Sequence, residues 1–187
     1  SPPHEVSPEQ VWEKMKKAKK PKSGVPGDLP RLINKEFSVE LSVPLSELIN
    51  NISRNATWPT HWKREYVTPL AKIANPETED DLRPISLTPF FSKVTEHFVV
   101  MWLLEYVEHL IDFRQYGGIK GNSICHYLIE LVNFILSNQE GSSPTAILAC
   151  MIDFSKAFNR INHNIVVTKL SDMGVPAWLL RIVMAFL

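Results

Sequence analysis

Apolar side chains recur at helical spacing along most of the chain, and these repeats predict its helices. The capping box S-P-E-Q at residues 7–10, with proline at the first helical position, predicts a short helix that carries Val11, Trp12 and Met15. A second helix is predicted at residues 36–53, where Pro44 should interrupt or restart it. The same periodicity predicts four further helices, at 88–106, at 124–136, around 163–174 and at 176–187.

Two other segments predict strands. The segment REYVTPL at 64–70 predicts a strand that ends at Pro69, and the polar residues 71–84 separate it from the apolar ISL of 85–87. The run TAILACMID at 145–153 predicts a buried strand, because it is continuous, apolar and short for a helix. Many helices with a few strands, the best of them buried, predict an α+β fold.

Asp153 ends the apolar run, and a carboxylate at the end of a buried strand needs a cationic partner or hydrogen-bond donors. Three interpretations follow from the residues alone. Asp153 could cap the helix that begins with SKAF, pair with Lys156, or ligate a metal ion at the edge of a sheet. The residues themselves leave these three open, with capping the simplest.

Composition limits the possible classes of protein. The chain has 187 residues, of which 44% are hydrophobic and 21% charged, as in a globular domain. It contains no apolar stretch of membrane-spanning length and no signal peptide, and its two cysteines are too few for a disulfide framework. We therefore expect an intracellular protein of the nucleus or cytoplasm that is not secreted.

The two cysteines lie in apolar segments, and we expect both in the core. Cys125, His126 and Cys150 could suggest a different metal enzyme. They offer too few ligands, and no closely spaced pairs of the zinc type occur.

Charge is balanced overall but unevenly distributed. The formal net charge of zero argues against a strongly basic nucleic-acid-binding module. A basic cluster nevertheless stands near the start of the chain, and a short acidic run occupies 77–81. The cluster consists of Lys14, Lys16, Lys17, Lys19, Lys20 and Lys22. A solvated helix face and contact with phosphates explain this cluster equally well.

Five segments resemble, in order, the motifs of reverse transcriptases, in particular those of LINE-type (non-LTR) retrotransposons. The first catalytic motif is DFSKAFNRINH at 153–163, and LRPISLTPFFSKVTEHFV at 82–99 is similar to the family's fingers motif. The other three matches are KSGVPGDLP at 22–30, QYGGIKGNS at 115–123 and LSDMGVPAWLLRIVMAFL at 170–187. Together they cover essentially the whole chain, and five matches in order are far more specific than any one alone.

The resemblance implies the fingers and partial palm of a right-hand polymerase. Residues 1–60 would be a helical N-terminal extension with a basic loop, 61–144 a fingers-like region and 145–187 the first part of the palm. The implied reaction joins a deoxynucleotide from a dNTP to a DNA primer on an RNA template, with two Mg²⁺ ions stabilising the attacking and leaving oxygens.

The resemblance also assigns roles to single residues around the catalytic motif. Asp153 would be the first catalytic carboxylate and a metal ligand, and the main-chain carbonyl of Phe154 a further ligand. Phe158 would lie under the sugar and exclude a ribose 2′-hydroxyl. Asn159 stands where the family usually has a second aspartate, and we expect it to modulate activity.

Further roles fall on the nucleotide-binding and template-binding segments. Lys72 and Arg83 would bind the triphosphate, brought together by a hairpin. The glutamine-glycine loop would let its backbone approach the template strand or the nearby palm, and a plain turn explains the same residues equally well. Its residues are Gln115, Gly117, Gly118 and Gly121.

The family's Asp-Asp hairpin is expected beyond Leu187, because the only adjacent aspartates here, at 80–81, lie in a polar loop. One carboxylate cannot hold two divalent cations, so we expect the chain alone not to polymerise and to bind Mg²⁺ weakly or not at all. The alternative is a non-catalytic remnant that binds RNA or protein through its basic N-terminal loop.

Overall fold

The computed structural model describes residues 4–18, 25–119, 121–139, 146–154 and 160–187. Within these ranges the protein is rich in helix and carries one small two-stranded antiparallel sheet. Chain contacts divide it into two compact units. Unit 1 comprises residues 1–106 and 163–187, and unit 2 comprises residues 107–162.

Unit 1 contains most of the secondary structure. Its first helices are α1 (Pro8–Lys17), α2 (Arg31–Glu36) and α3 (Ser38–Asn55), followed by the strands β1 (Tyr66–Ala71) and β2 (Leu82–Leu87). The helix α4 (Phe90–Val107) comes next, and α6 (His163–Asp172) and α7 (Ala177–Phe186) return from the end of the chain. The helix α5 (Ile124–Gln139) belongs to unit 2.

The predicted helices are confirmed, including the first capping box. The Ser7 hydroxyl accepts the Gln10 amide, and the Gln10 side chain accepts the Ser7 amide. Pro44 lies inside α3 without ending it. Its ring removes one backbone hydrogen bond, while the apolar face of α3 is buried against α1 and α7, so tertiary packing outweighs the local defect.

The hydrophobic core lies in unit 1, where α1 and α7 both pack on α3. Its most deeply buried apolar side chains are Val11, Ile49, Ile52, Val94, Leu179 and Ile182. None of the helices in the described ranges is long and apolar enough to cross a membrane.

A short segment before α1 is held to unit 1 by several polar contacts. Val6 is buried, and its amide donates to the Asn50 side chain at 2.7 Å while its carbonyl accepts from the same amide group at 3.0 Å. His4 packs against the rings of Trp102 and Trp178, and its Nε2 lies 3.0 Å from a Glu105 carboxylate oxygen. The N-terminal segment therefore joins α3, α4 and α7.

The predicted buried strand at 145–153 is wrong. Residues 146–154 form neither helix nor strand, and Leu148 and Met151 are each 95% exposed. A strand needs a neighbouring strand to satisfy its backbone groups, and the two strands in the described part of the chain pair only with each other. The apolar pattern was correctly identified, but the partner that would bury it is not among the described residues.

The cysteine prediction is also wrong. Cys125 and Cys150 are both exposed thiols. Both lie in unit 2, in which no described residue is buried. The apolar character of α5 therefore indicated a helix but not burial, since none of its described side chains is buried.

Candidate nucleotide-binding hairpin and catalytic segment

The two cations predicted to bind the triphosphate lie on the same face of the β1–β2 hairpin. Leu70 pairs directly with Arg83 in the antiparallel register, and the Lys72 amide donates to the Asp81 carbonyl at 2.8 Å two pairs further on. Since side chains two residues apart on a strand share a face, Lys72 is a diagonal neighbour of Arg83, with Cα atoms about 7–8 Å apart. The predicted hairpin is confirmed, although β1 continues through Pro69 to Ala71.

The turn of the hairpin is closed by Asp81. Its Oδ2 accepts the amide of Thr78 at 2.9 Å, the hydroxyl of Thr78 at 2.9 Å and the amide of Glu77 at 3.1 Å. The hydrogen bonds from Thr78 and then from Glu77 lower the pKa of the Asp81 carboxyl, and Lys72 adds to the effect. The Asp81 carboxylate therefore forms its hydrogen bonds within the turn, and it forms no ion pair with the Arg83 guanidinium.

Both cations are exposed at the hairpin surface. The Lys72 ammonium donates to the carbonyl of Asp80 within the same turn. Arg83 forms no ion pair with any residue in the described ranges. An exposed guanidinium can contact two oxygens of a polyphosphate in a bidentate manner, and an ammonium on the same face of the hairpin can contact a further oxygen.

The helix that follows the hairpin is fixed at its start by a distant loop. The carboxylate of Asp28 accepts the amide of Phe90 at 2.9 Å, across 62 residues of sequence. That carboxylate satisfies one of the free amides in the first turn of α4. The loop that carries Asp28 is held in turn by the buried Asn34, whose side chain donates to the Leu29 carbonyl at 3.1 Å.

In unit 2, the glutamine-glycine loop is folded on itself. The carbonyl of Gln115 accepts the amides of Gly118 and Ile119 at 3.1 and 3.2 Å. The Asn122 side chain donates to the Phe113 carbonyl at 2.7 Å and so closes the loop. Gly121 has a φ of 94°, which favours glycine at this position.

Two charged contacts order the start of this loop. The Arg114 guanidinium donates to both oxygens of Asp112, and these hydrogen bonds lower the pKa of Asp112 to about 2. The Tyr116 hydroxyl donates to a carboxylate oxygen of Glu130 on α5, which raises the pKa of Tyr116 to about 12. Both contacts connect residues within unit 2.

The described residues that lead into the predicted catalytic motif, 146–154, have no regular structure. Asp153 is exposed in the 146–154 segment and receives no hydrogen bond from the described residues, so no amide or amine there neutralises it. The proposed partners for capping and ion pairing, including Lys156, lie outside the described residues, as does Phe158. Asp153 and the Phe154 carbonyl supply oxygen ligands of the type that Mg²⁺ prefers. No group of three or more His, Cys, Asp or Glu side chains in the described ranges could hold a metal ion, so these residues alone do not fit a two-metal site.

Sequence reasoning missed the residues that shape these loops. Asp28, Asp81, Asn122 and Glu130 were not identified, although each fixes the backbone or a side chain of a predicted motif. A short-range signal existed for Asp81, which lies three residues after Thr78 in a capping-box spacing. The partners of Asp28 and Glu130 are too distant in sequence to leave such a signal.

Comparison with known proteins shows the protein family of this chain. The family model described as reverse transcriptase (RNA-dependent DNA polymerase) matches residues 73–187, which is more than half of the chain. The chain therefore belongs to the reverse transcriptase family, whose enzymes use nucleic-acid templates, deoxynucleotides and divalent metal ions. The match includes Arg83, the glutamine-glycine loop and Asp153, and it begins one residue after Lys72.

A curated relative of this chain comes from a transposon. The probable RNA-directed DNA polymerase from transposon X-element of Drosophila melanogaster is 29% identical over 119 residues. The aligned region is 62% of this chain but 13% of the relative, so the chain spans a small part of that protein. This likeness agrees with the ordered motifs, which resemble those of LINE-type (non-LTR) reverse transcriptases.

Proposed function

We propose that this chain supplies the nucleotide-binding hairpin and the first catalytic carboxylate of a polymerase that makes DNA on an RNA template. The observation that carries the proposal is the placement of Lys72 and Arg83 as neighbours on one exposed face of the β1–β2 hairpin. In this role the Arg83 guanidinium binds two phosphate oxygens of an incoming deoxynucleoside triphosphate, and the Lys72 ammonium binds a third. The hairpin then belongs to the fingers of a right-hand polymerase, and residues 145–187 to its palm.

The glutamine-glycine loop is proposed to face the template strand. Nothing in the described structure lies within 4 Å of the position that a Cβ would occupy at Gly117 or Gly118. Internal packing therefore does not require glycine at these two positions, whereas close approach of a nucleic-acid backbone does. Gln115 and Gly121 belong to the same proposed contact.

Asp153 is proposed as one ligand of a metal site that needs further carboxylates from outside the described residues. The Phe154 carbonyl is the second oxygen donor from this chain, and Phe158 is proposed to limit the space at the 2′ position of the nucleotide sugar. The exposure of the Asp153 side chain supports this proposal, since the carboxylate is open to a metal ion.

Binding of a deoxynucleoside triphosphate to the chain tests the role of the hairpin. We expect Arg83→Gln and Lys72→Gln each to weaken binding of a fluorescent dNTP analogue about tenfold, as for a lost charge-assisted hydrogen bond. Arg64→Gln is the matched control, because it removes the same charge from an exposed site just before β1. Equal losses in all three variants would show a general charge effect and would contradict the proposal.

A primer-extension assay with RNA template, dNTPs and Mg²⁺ tests the proposed catalytic role of Asp153. We expect the chain alone to show no extension, because its described carboxylates do not assemble a metal site. Extension by the chain that disappears in Asp153→Ala would overturn this expectation.

A further inference from the structure

The turn of the β1–β2 hairpin carries a hydroxyl group directly before an acidic sequence. Thr78 is followed by Glu79, Asp80 and Asp81, and no other serine or threonine of the chain has acidic residues at all three following positions. Residues 71–80 are all exposed. Acidophilic serine/threonine protein kinases select a hydroxyl through basic groups that contact acidic residues on its C-terminal side. The charge pattern around Thr78 is therefore that of a substrate for a kinase of this class.

The turn that holds Thr78 is stabilised by local hydrogen bonds. The backbone of Thr78 is extended, with φ −129° and ψ 164°. Its hydroxyl donates to Oδ2 of Asp81 at 2.9 Å, and the hydrogen bonds of these two residues join only positions within 72–82. Opening of the turn for a kinase would therefore break local contacts and leave the helical core of unit 1 intact.

The Thr78 hydroxyl also lies on the face of the hairpin that carries the two cations. Because the Lys72 amide donates to the Asp81 carbonyl, these two residues continue the strand pairing, and their side chains share a face. Arg83 lies two residues after Asp81 and so has the same orientation. The charge of Lys72 contributes to the lowered pKa of the Asp81 carboxyl, which agrees with this placement. Since the hydroxyl of Thr78 contacts that carboxylate, a group attached to the hydroxyl would stand beside both cations.

We propose that an acidophilic protein kinase phosphorylates Thr78 and that the phosphate then binds Lys72 and Arg83 in place of a nucleotide. In this reaction Oγ1 of Thr78 attacks the γ-phosphorus of ATP, and the bond from that phosphorus to the β,γ-bridging oxygen breaks. ADP leaves, and the hydroxyl proton passes to a basic group of the kinase. The exclusion of nucleotide rests on the proposed function of the hairpin, whereas the modification and its contact with the two cations do not.

The charge of the phosphate explains this effect. Phosphorylation replaces a hydrogen-bond donor by a charge of about −1.5 to −2 at pH 7. The hydrogen bond from the Thr78 hydroxyl to Asp81 is then lost, and the like charge of that carboxylate repels the phosphate. Lys72 and Arg83 on the same face attract it. The phosphate thereby lowers the positive potential that an incoming triphosphate would meet.

Treatment of the 187-residue chain with a purified acidophilic kinase of the casein-kinase type and Mg-ATP tests the modification. We expect mass spectrometry of peptide fragments to find the phosphate on Thr78. Glu79→Gln with Asp80→Asn removes two acidic groups and leaves Asp81 in place, and it should slow phosphorylation at least about tenfold. The matched control, Glu36→Gln with Glu65→Gln, removes the same charge from exposed positions of unit 1 and should leave the rate unchanged. No phosphate at Thr78, or equal slowing in both variants, would overturn the proposal.

Phosphorus NMR of the phosphorylated chain tests the contact with the cations without any nucleotide. Lys72→Gln with Arg83→Gln should raise the second pKa of the phosphate, which is ordinarily about 6, because nearby positive charge favours the dianion. Lys63→Gln with Arg64→Gln removes the same charge just before β1 and should leave this pKa unchanged. An unchanged pKa in the first variant would show that the phosphate does not contact Lys72 and Arg83.

Binding of the fluorescent dNTP analogue tests the exclusion of nucleotide. We expect the phosphorylated chain to bind the analogue at least about tenfold more weakly than the untreated chain, and a phosphatase to restore binding. Thr78→Ala, treated with kinase in the same way, should keep the affinity that it has before treatment. Unchanged affinity of the phosphorylated chain would contradict the exclusion. If the untreated chain binds no analogue, the proposed function fails, while the kinase and NMR measurements still decide the modification and its contact with the cations.

Discussion

Pro69 lies directly opposite Pro84 in the middle of the β1–β2 hairpin. Opposed residues of an antiparallel pair alternate between hydrogen-bonded and non-hydrogen-bonded positions, and the Lys72–Asp81 pair is hydrogen-bonded. The two kinds of pair alternate along the hairpin, so Leu70–Arg83 is hydrogen-bonded and Pro69–Pro84 is not. At a non-hydrogen-bonded pair, each backbone nitrogen points away from the partner strand. Each outer edge of the hairpin therefore has a proline at its centre in place of an N–H group, which blocks the addition of a further strand.

Replacing both prolines should allow a further strand to pair with the outer edges of the hairpin. We expect Pro69→Val with Pro84→Val to self-associate as concentration rises, because the change restores an outward N–H on each strand and raises β-propensity. Thr68→Val with Ser86→Val is the control, since it places a valine on each strand without adding an N–H group. Light scattering over a concentration series measures the difference, and equal behaviour of the two variants would contradict the role of the prolines.

The contact between Asn50 and Val6 should contribute measurably to the stability of unit 1. Asn50→Ala removes two hydrogen bonds from a largely buried backbone segment, and we expect the free energy of unfolding to fall by about 1–3 kcal/mol. Asn51→Ala, at the exposed neighbouring position of α3, should change it by less than about 0.5 kcal/mol. Urea unfolding followed by circular dichroism gives both values, and an equal loss in the two variants would mean that the N-terminal segment is not held in this way.

The Asp28 carboxylate should stabilise the first turn of α4. Asp28→Ala leaves the Phe90 amide without its acceptor and is expected to cost about 1 kcal/mol, whereas Asp28→Asn keeps an oxygen acceptor and should cost less. Hydrogen exchange at the amide of Phe90 reports the change directly. Asp172→Ala, at the C-terminal end of α6, serves as the control because an acidic side chain there caps no amide. Unchanged exchange at Phe90 in Asp28→Ala would refute the capping role.

Elements specified by adjacent residues were predictable from the sequence. The capping box before α1 and the helical periodicity of α5 and α7 each depend on residues within a few positions of one another. The hairpin was also predictable, since two apolar segments flank a polar turn. Pro44 was given too much weight, because a local rule took no account of the burial of the rest of α3.

The errors concern contacts between distant parts of the chain. The segment at 146–154 has the pattern of a buried strand, but a pattern does not supply a partner. The hydrogen bond from the Phe90 amide to Asp28 spans 62 residues, and the Val6–Asn50 contact spans 44. Single polar residues in loops give no periodic signal, so the residues that position the candidate site emerged only from the structure.

The Tyr116–Glu130 contact predicts an unusual alkaline titration. The Tyr116 hydroxyl donates to the Glu130 carboxylate, and its ionisation would place two negative charges together, so we expect Tyr116 to titrate near pH 12. The folded-state pKa lies above the ordinary value of 10.0, so the contribution of this contact to stability is complete below pH 10 and is lost as the pH rises towards 12. Near-ultraviolet absorbance of the phenolate measures the titration of the four tyrosines.

The matched pair for this measurement is Glu130→Gln and Glu108→Gln. Both remove one acidic group from unit 2, but only Glu130 accepts the tyrosine hydroxyl. Glu130→Gln should return the titration of Tyr116 towards 10, and Glu108→Gln should leave it unchanged. If one tyrosine keeps a raised pKa in both variants, a group other than Glu130 raises that pKa. The glutamine-glycine loop is then not joined to α5 through this hydrogen bond.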